Sequence, residues 1–166
     1  MASPVLTELF SRIAPAAEAA VEGLSEDELH RSPGGGANPI GWLVWHIARI
    51  HDDHFADAFG TGQLWEEGDW AQRFGLAPDP SNIGYGHGPE EVAAVRGDAD
   101  AVIDYLRAVT ARTAEHLEQL DDAELDRVVD TNYDPPVTLL VRLVSVATDG
   151  LMHAGQAAYA RGQLGR

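Results

Sequence analysis

The sequence contains no cysteine and no lysine, and each absence removes a class of chemistry. Without cysteine the chain can form neither disulfides nor thiolate metal ligands, so any thiol chemistry would need an external thiol. Without lysine there can be no Schiff-base intermediate and no phosphate-binding P-loop lysine. All 11 basic residues are therefore arginine, a composition typical of the coding bias of GC-rich genomes.

Acidic residues outnumber basic ones by 27 to 11, which gives a formal net charge of −16 at neutral pH. This charge repels phosphate backbones, so we expect no nucleic-acid partner. The chain has no apolar run of about 20 residues that could cross a bilayer. It also lacks a basic and then apolar leader at its N-terminus. We therefore expect a cytoplasmic protein with no membrane partner, and its length suits a single domain over residues 1–166.

Apolar residues recur at helical spacing along most of the chain, which predicts an all-α protein. The four predicted helices cover residues 3–22, 39–59, 89–120 and 136–162. Pro15 should kink the first helix, and Asn38 should cap the second, with Pro39 at its first helical position. The aromatic residues in the segment 60–88 favour a packed loop over disorder. The predicted fold is a four-helix bundle with a long loop between helices two and three.

Asp149 and His153 lie four residues apart in an apolar segment, and on a helix this spacing places both side chains on one face. His46 lies in the most apolar part of the second predicted helix. If these two helices pack together, one carboxylate and two imidazoles form a ligand set for a divalent metal, with coordination positions open for water or substrate. The same pattern also suits a core histidine beside a buried ion pair. The residues alone leave both interpretations open.

Other polar residues are candidates for binding substrate or supporting the metal ligands. Arg49 and Arg142 could each hold an anionic group, although both are also typical of surface ion pairs. Gln156, three residues after His153, could hydrogen-bond a ligand side chain or a ligand-bound water. Tyr85 could line the mouth of a pocket.

A second cluster of histidine and aspartate residues, at positions 51–54, has few apolar neighbours in the sequence. We therefore expect it to form a solvated helix face rather than a metal site. Its last residue, His54, lies about 12 Å along the helix axis from His46, so the two could not easily share one ion. His46 must then find its partners on another helix.

The chain resembles the DinB-like superfamily, in the branch related to mycothiol-dependent maleylpyruvate isomerases. The resemblance is carried by the segments NPIGWLVWHI at 38–47, IGYGH at 83–87 and DGLMHAGQ at 149–156. It implies a four-helix bundle that binds a divalent metal (zinc, nickel or iron) through His46, Asp149 and His153. Asp149 departs from the family pattern, which has histidine or glutamate at this position.

The resemblance also implies a function. Characterised relatives use a low-molecular-weight thiol, which is mycothiol in actinobacteria, and a metal-bound thiol loses its proton near neutral pH. The implied activity is a metal- and thiol-dependent S-transferase or isomerase, with Arg49 or Arg142 orienting an electrophilic or anionic small molecule. Many relatives are homodimers. Two alternatives are a non-catalytic metal-binding or stress-related bundle and an inert dimerisation or interaction bundle without metal.

Overall fold

Residues 3–166, which a computed structural model describes, form mostly α-helices joined by loops. In chain order the helices are α1 (Ser3–Ser11), α2 (Ile13–Val21), α3 (Glu26–Leu29), α4 (Ile40–Phe59), α5 (Trp70–Arg73), α6 (Pro89–Ala94), α7 (Ala99–Gln119) and α8 (Leu139–Gln163). The strands β1 (Val128–Asp130) and β2 (Val137–Thr138) pair antiparallel just before α8. The prediction of a mostly helical protein is confirmed, but it omitted this small sheet, whose strands are too short to show an alternating pattern.

The first predicted helix is divided into α1 and α2 at Arg12. Pro15 has no N–H to donate to the carbonyl of Ser11, so the helical hydrogen-bond ladder is broken one turn before the proline. The expected kink is therefore confirmed, and it lies on the N-terminal side of the residue that causes it.

The ends of α4 are set by a proline and a glycine. Pro39 has extended dihedral angles, and its carbonyl accepts the Leu43 N–H at 3.0 Å, so Pro39 rather than Asn38 occupies the N-cap position. The predicted cap was wrong by one residue. At the other end Gly60 adopts a left-handed conformation with φ of 67°, which ends the helix as predicted.

The third predicted helix is interrupted between α6 and α7. The Asp98 side chain accepts the Ala101 N–H at 2.7 Å and caps α7, which therefore starts ten residues later than predicted. A Cβ on Gly97 would lie 2.5 Å from the ring of Phe74, so this close approach requires glycine. A glycine followed by a capping aspartate indicates a helix break. The prediction missed it because apolar residues continue at helical spacing on both sides of the break.

The start of α8 also differs from the prediction. Residues 137–138 pair with β1, and the Thr138 hydroxyl accepts the Val141 N–H at 3.4 Å to cap the helix. α8 therefore begins at Leu139 rather than at Pro136.

The core lies between the long helices, and α4 contacts both α7 and α8 extensively. The second and fourth predicted helices therefore pack together, which is the condition on which the predicted metal site depends. The segment between α4 and α6 covers one side of α4, with Trp65 and Phe74 completely buried in it. This segment also contains the short helices Leu64–Glu66 and α5, which the sequence did not predict. Among residues 3–166, no helix is long and apolar enough to cross a membrane.

Candidate metal centre

The packing of α4 against α8 brings His46, Asp149 and His153 together. One potential ligand atom from each side chain lies within 4.8 Å of the others. The rings of His46 and His153 meet edge to face with centroids 4.9 Å apart, and His153 Nε2 lies 3.4 Å from Asp149 Oδ1. The predicted convergence of these three residues is therefore present in the structure.

Each histidine of the cluster is held at Nδ1 by an oxygen acceptor. His46 Nδ1 lies 2.6 Å from the Ile83 carbonyl oxygen, and His153 Nδ1 lies 2.8 Å from Gln156 Oε1. Because these oxygens only accept hydrogen bonds, they favour the tautomer that carries its proton on Nδ1 and a lone pair on Nε2. Metal-binding histidines commonly have such an outer acceptor, which fixes the ring orientation.

Asp149 supplies the observation that best tests whether the cluster suits a metal. Its Oδ2 atom is buried and has no hydrogen-bond partner among the described residues. A buried carboxylate oxygen without a partner costs free energy, and a cation bound at this atom would remove that cost. Two imidazole nitrogens and a carboxylate form a donor set for zinc, nickel or iron. The residues therefore fit a divalent ion.

The protonation of the cluster follows from burial and from the mutual contacts. Burial lowers the pKa of His46, although the Ile83 carbonyl acts in the opposite direction. The hydrogen bond with Asp149 raises the pKa of His153. Burial acts to raise the pKa of Asp149, but the nearby histidines outweigh it, and this pKa falls below its ordinary value. Asp149 and His46 are thus in their metal-binding forms at neutral pH.

Aromatic side chains form one wall of the cluster. The Trp42 ring stacks on His46 with centroids 4.7 Å apart, and its Nε1 donates to His87 Nδ1 at 3.2 Å. The other ring nitrogen of His87 lies 2.8 Å from Asn82 Oδ1. His87 had no supporting pattern in the sequence, and its place beside the site depends on the path of the loop that follows α5.

The loop backbone passes directly against His46. A Cβ on Gly84 would lie 2.7 Å from His46 Nδ1, and Gly84 also has a positive φ of 90°. Glycine is therefore required here both for space and for conformation. The only hint in the sequence was the spacing of glycines at 84, 86 and 88.

The residues proposed to bind substrate have three different environments. Arg49 is completely buried, and all five of its N–H groups donate to protein acceptors, so none is left for a substrate in this arrangement. Arg142 donates to Asp130 Oδ2 at 3.0 Å and contacts His54 Nδ1 at 3.1 Å. Tyr85 is 90% exposed. Their role in substrate binding stays a prediction.

The expectation of a solvated face at residues 51–54 was wrong for the first two of these residues. His51 and Asp52 are buried, and the Asp52 carboxylate accepts the backbone N–H groups of Leu64 and Trp65, both at 2.8 Å. The neighbours of His51 come from α1 and α8, and those of Asp52 come from α7 and from the loop after α4, so nothing adjacent in the sequence reveals the burial. His54 is partly exposed, as expected.

A cleft of about 720 Å³ lies next to the cluster, between the loop 33–38 and the outer side of α8. Gln156 lines this cleft and also bonds His153, so the cleft and the cluster are adjacent. None of the described residues that line it is charged; the polar side chains are those of Asn38, Gln156, Tyr159 and Gln163. Its size suits a small molecule.

The fold and the cluster together define a mostly helical protein with a candidate divalent-metal centre at a helix–helix contact. The chain matches the model of the DinB superfamily over residues 9–157 and belongs to that superfamily. A solved structure described as the conserved protein of locus from Enterococcus faecalis is similar, with a TM-score of 0.91 and 33% identity over 99% of this chain and 98% of that one. Among curated proteins, none matches the chain.

Proposed function

We propose that the protein binds a divalent metal through His46, Asp149 and His153 and serves as a thiol-dependent S-transferase or isomerase. The observation that carries this proposal is the buried Oδ2 atom of Asp149, which has no partner among the described residues. An Asp149–His153 ion pair alone would leave this atom unsatisfied, at a cost of about 1–3 kcal/mol. A bound ion would satisfy it.

A divalent ion in this position supplies a Lewis acid that lowers the pKa of a thiol or of water. Nε2 is the ring nitrogen that His46 and His153 can each offer to an ion, because their Nδ1 atoms are engaged by Ile83 and Gln156. His153 Nε2 already lies 3.4 Å from the second ligand, Asp149. Trp42 shields the His46 ring from water on one face. The side chains of Asp149 and His153 keep 34% and 19% of their surface exposed, so a small molecule can reach the site from α8.

The thiol in this proposal is external, because the chain has no cysteine. Its place is the uncharged cleft beside His153, where amide and hydroxyl groups can hydrogen-bond a neutral polar molecule. The branch of the superfamily related to mycothiol-dependent maleylpyruvate isomerases fits this arrangement, with mycothiol as the thiol and an electrophilic small molecule as the second substrate. The cytoplasm, where such thiols stay reduced, is the proposed compartment.

We also propose that the protein is a homodimer and that α1–α2, α4, α7 and α8 are the four helices of its bundle. Outside the part that lines the cleft, α8 carries an exposed apolar face formed by Leu140, Val141, Val144 and Leu151. Because each copy has a net charge of −16, two copies repel one another over most of their surfaces. The apolar face of α8 allows close approach without opposing acidic groups.

The first test of the metal site is elemental analysis of tag-free protein. We expect near-stoichiometric zinc, nickel or iron in the wild type, lost in His46→Ala/His153→Ala and retained in His54→Ala, whose histidine is also on α4. An absence of metal in the wild type, even after incubation with divalent ions, would overturn the proposal.

A second assay separates an enzyme from a metal-binding protein. Metal-loaded wild type and His46→Ala are incubated with low-molecular-weight thiols and electrophiles, and conjugate formation is measured. We expect thiol-dependent turnover that requires His46. Bound metal without such turnover would refute the enzymatic part and leave a non-catalytic metal-binding protein.

A further inference from the structure

Arg49 is completely buried, and a buried guanidinium is rare unless its charge and its donors are fully paired. Three of its bonds go to side chains and two go to backbone carbonyl oxygens. The side-chain partners are Asp52 at 3.2 Å, Tyr105 at 3.0 Å and Gln63 at 2.8 Å, and the carbonyl partners are Pro80 at 2.8 Å and Asn82 at 3.0 Å. Arg49 therefore joins α4 to α7 and to the loop after α5.

The two backbone carbonyl groups that Arg49 bonds belong to Pro80 and Asn82, which come just before Ile83 in the chain. Ile83 is the residue whose carbonyl holds the His46 ring. The Ile83 carbonyl is 2.6 Å from His46 Nδ1, and the adjacent Asn82 carbonyl accepts the Nε–H of Arg49. Planar peptide units allow only two free torsions between neighbouring carbonyl groups. Only the φ and ψ of Ile83 could absorb a shift of the Asn82 carbonyl, and the close packing of Gly84 against His46 restricts these torsions, so the Ile83 carbonyl would move as well.

We propose that Arg49 is a positioning residue of the metal centre. By holding the Pro80 and Asn82 carbonyl groups on α4, it places the Ile83 carbonyl where it fixes the ring and the tautomer of His46. The loop has little freedom at this point, since a Cβ on Gly84 would lie 2.7 Å from His46 Nδ1. The expected effect of Arg49 on metal affinity rests on the proposed function. Its effect on the His46 tautomer does not, because the tautomer can be measured in metal-free protein.

The test compares Arg49→Lys with Tyr105→Phe. Lysine keeps a positive charge near Asp52 but lacks the planar fork that reaches both carbonyl groups. Phenylalanine removes the hydroxyl that donates to Asp52 at 2.7 Å and accepts from Arg49, while both carbonyl bonds remain. Tyr105→Phe is thus a matched control: it removes hydrogen bonds to Arg49 and Asp52 but keeps the bonds from Arg49 to the carbonyl groups of the loop.

The first readout is zinc affinity, measured by competition with a chelator on protein shown to be folded. Removal of an outer hydrogen-bond partner of a metal ligand typically lowers affinity 10- to 100-fold. Arg49→Lys displaces the Ile83 carbonyl rather than removing it, so we expect a loss at the lower end of this range, about 10-fold. Tyr105→Phe should retain the wild-type affinity. Equal affinities in all three proteins, or an equal loss in both variants, would overturn the proposal.

The second readout is the ¹⁵N spectrum of the His46 ring in metal-free protein. We expect the Nδ1–H tautomer in the wild type and in Tyr105→Phe, and a mixture of tautomers in Arg49→Lys. If the wild type binds no zinc, the proposed function fails while this comparison still decides the role of Arg49. A wild-type His46 that carries its proton on Nε2 would overturn the inference even if no Arg49 variant folds.

Discussion

Replacing Asp149 with asparagine should weaken metal binding and leave the metal-free protein about as stable as the wild type. The side chains have the same size, and the Oδ2 atom has no partner to lose among the described residues. The contact that is lost, between Oδ1 and His153 Nε2 at 3.4 Å, is partly exposed, and such pairs contribute about 1 kcal/mol or less. The new amide can instead donate to Nε2 of His153 when that ring is neutral. If the main role of Asp149 were instead a strong charge-assisted hydrogen bond to His153, the same change would destabilise the metal-free protein by about 1.5–3 kcal/mol.

The expected size of the effect follows from binding linkage. Zinc at 100 times its dissociation constant stabilises the folded wild type by about 2.7 kcal/mol. For a domain of this length, that corresponds to an increase in Tm of about 5–11 °C. If the substitution weakens affinity about 100-fold, the same zinc concentration stabilises the variant by only about 0.4 kcal/mol. Its Tm would then rise by only about 1–2 °C.

The assay is thermal unfolding followed by circular dichroism, first with EDTA and then with zinc. Asp57→Asn is the control, because Asp57 is an exposed aspartate on α4 and its variant should respond to zinc like the wild type. The reasoning would be refuted by an Asp149→Asn protein that loses stability in EDTA and still gains the full zinc shift. That result would identify Asp149 as a structural ion-pair partner.

Three further predictions concern pH, the loop and the α8 face. Burial lowers the pKa of His51 to about 4. The unfolded chain therefore takes up a proton near pH 6.5 and the native state only near pH 4, so metal-free protein should lose about 3 kcal/mol of unfolding free energy as the pH falls between these values. In urea titrations at several pH values, the unfolding free energy of His51→Phe should depend less on pH than that of the wild type. Gly84→Ala should lower zinc affinity in a chelator competition, whereas Gly86→Ala, with a similar positive φ but open space around it, should not. Val144→Glu should convert a homodimer to a monomer in light scattering, while Ala111→Glu on α7 should leave the dimer intact.

The cluster of His46, Asp149 and His153 could be predicted because it depends on regularities that the sequence carries directly. The four-residue spacing of Asp149 and His153 fixes their common face as soon as the segment is helical. The apolar surroundings of His46 indicate burial, and the two most apolar helices of a small protein pack together. Family membership could also be recognised from these segments, and the match over residues 9–157 confirms it.

The hydrogen bonds that hold the cluster in place could not be predicted, because they join residues that are far apart in the chain. His46 meets the carbonyl of Ile83 across 37 residues, and Arg49 meets Tyr105 across 56. The partner groups lie on irregular loops, and the path of such a loop follows no periodic pattern that could be recognised in the sequence. The burial of Asp52 was missed for the same reason, since its donors at Leu64 and Trp65 belong to the loop.

The three proposed metal ligands are not held equally firmly: two depend on a helix, and His46 depends on a loop. Asp149, His153 and Gln156 all belong to α8, so one helix fixes two ligands and the acceptor of one of them. His46 instead depends on a loop carbonyl, and loops open locally at a lower free-energy cost than core helices. Local opening of residues 80–87 would free the His46 ring while α8 stays folded. Substitutions in this loop should therefore change metal affinity more than global stability, whereas substitutions of buried α8 residues should change both.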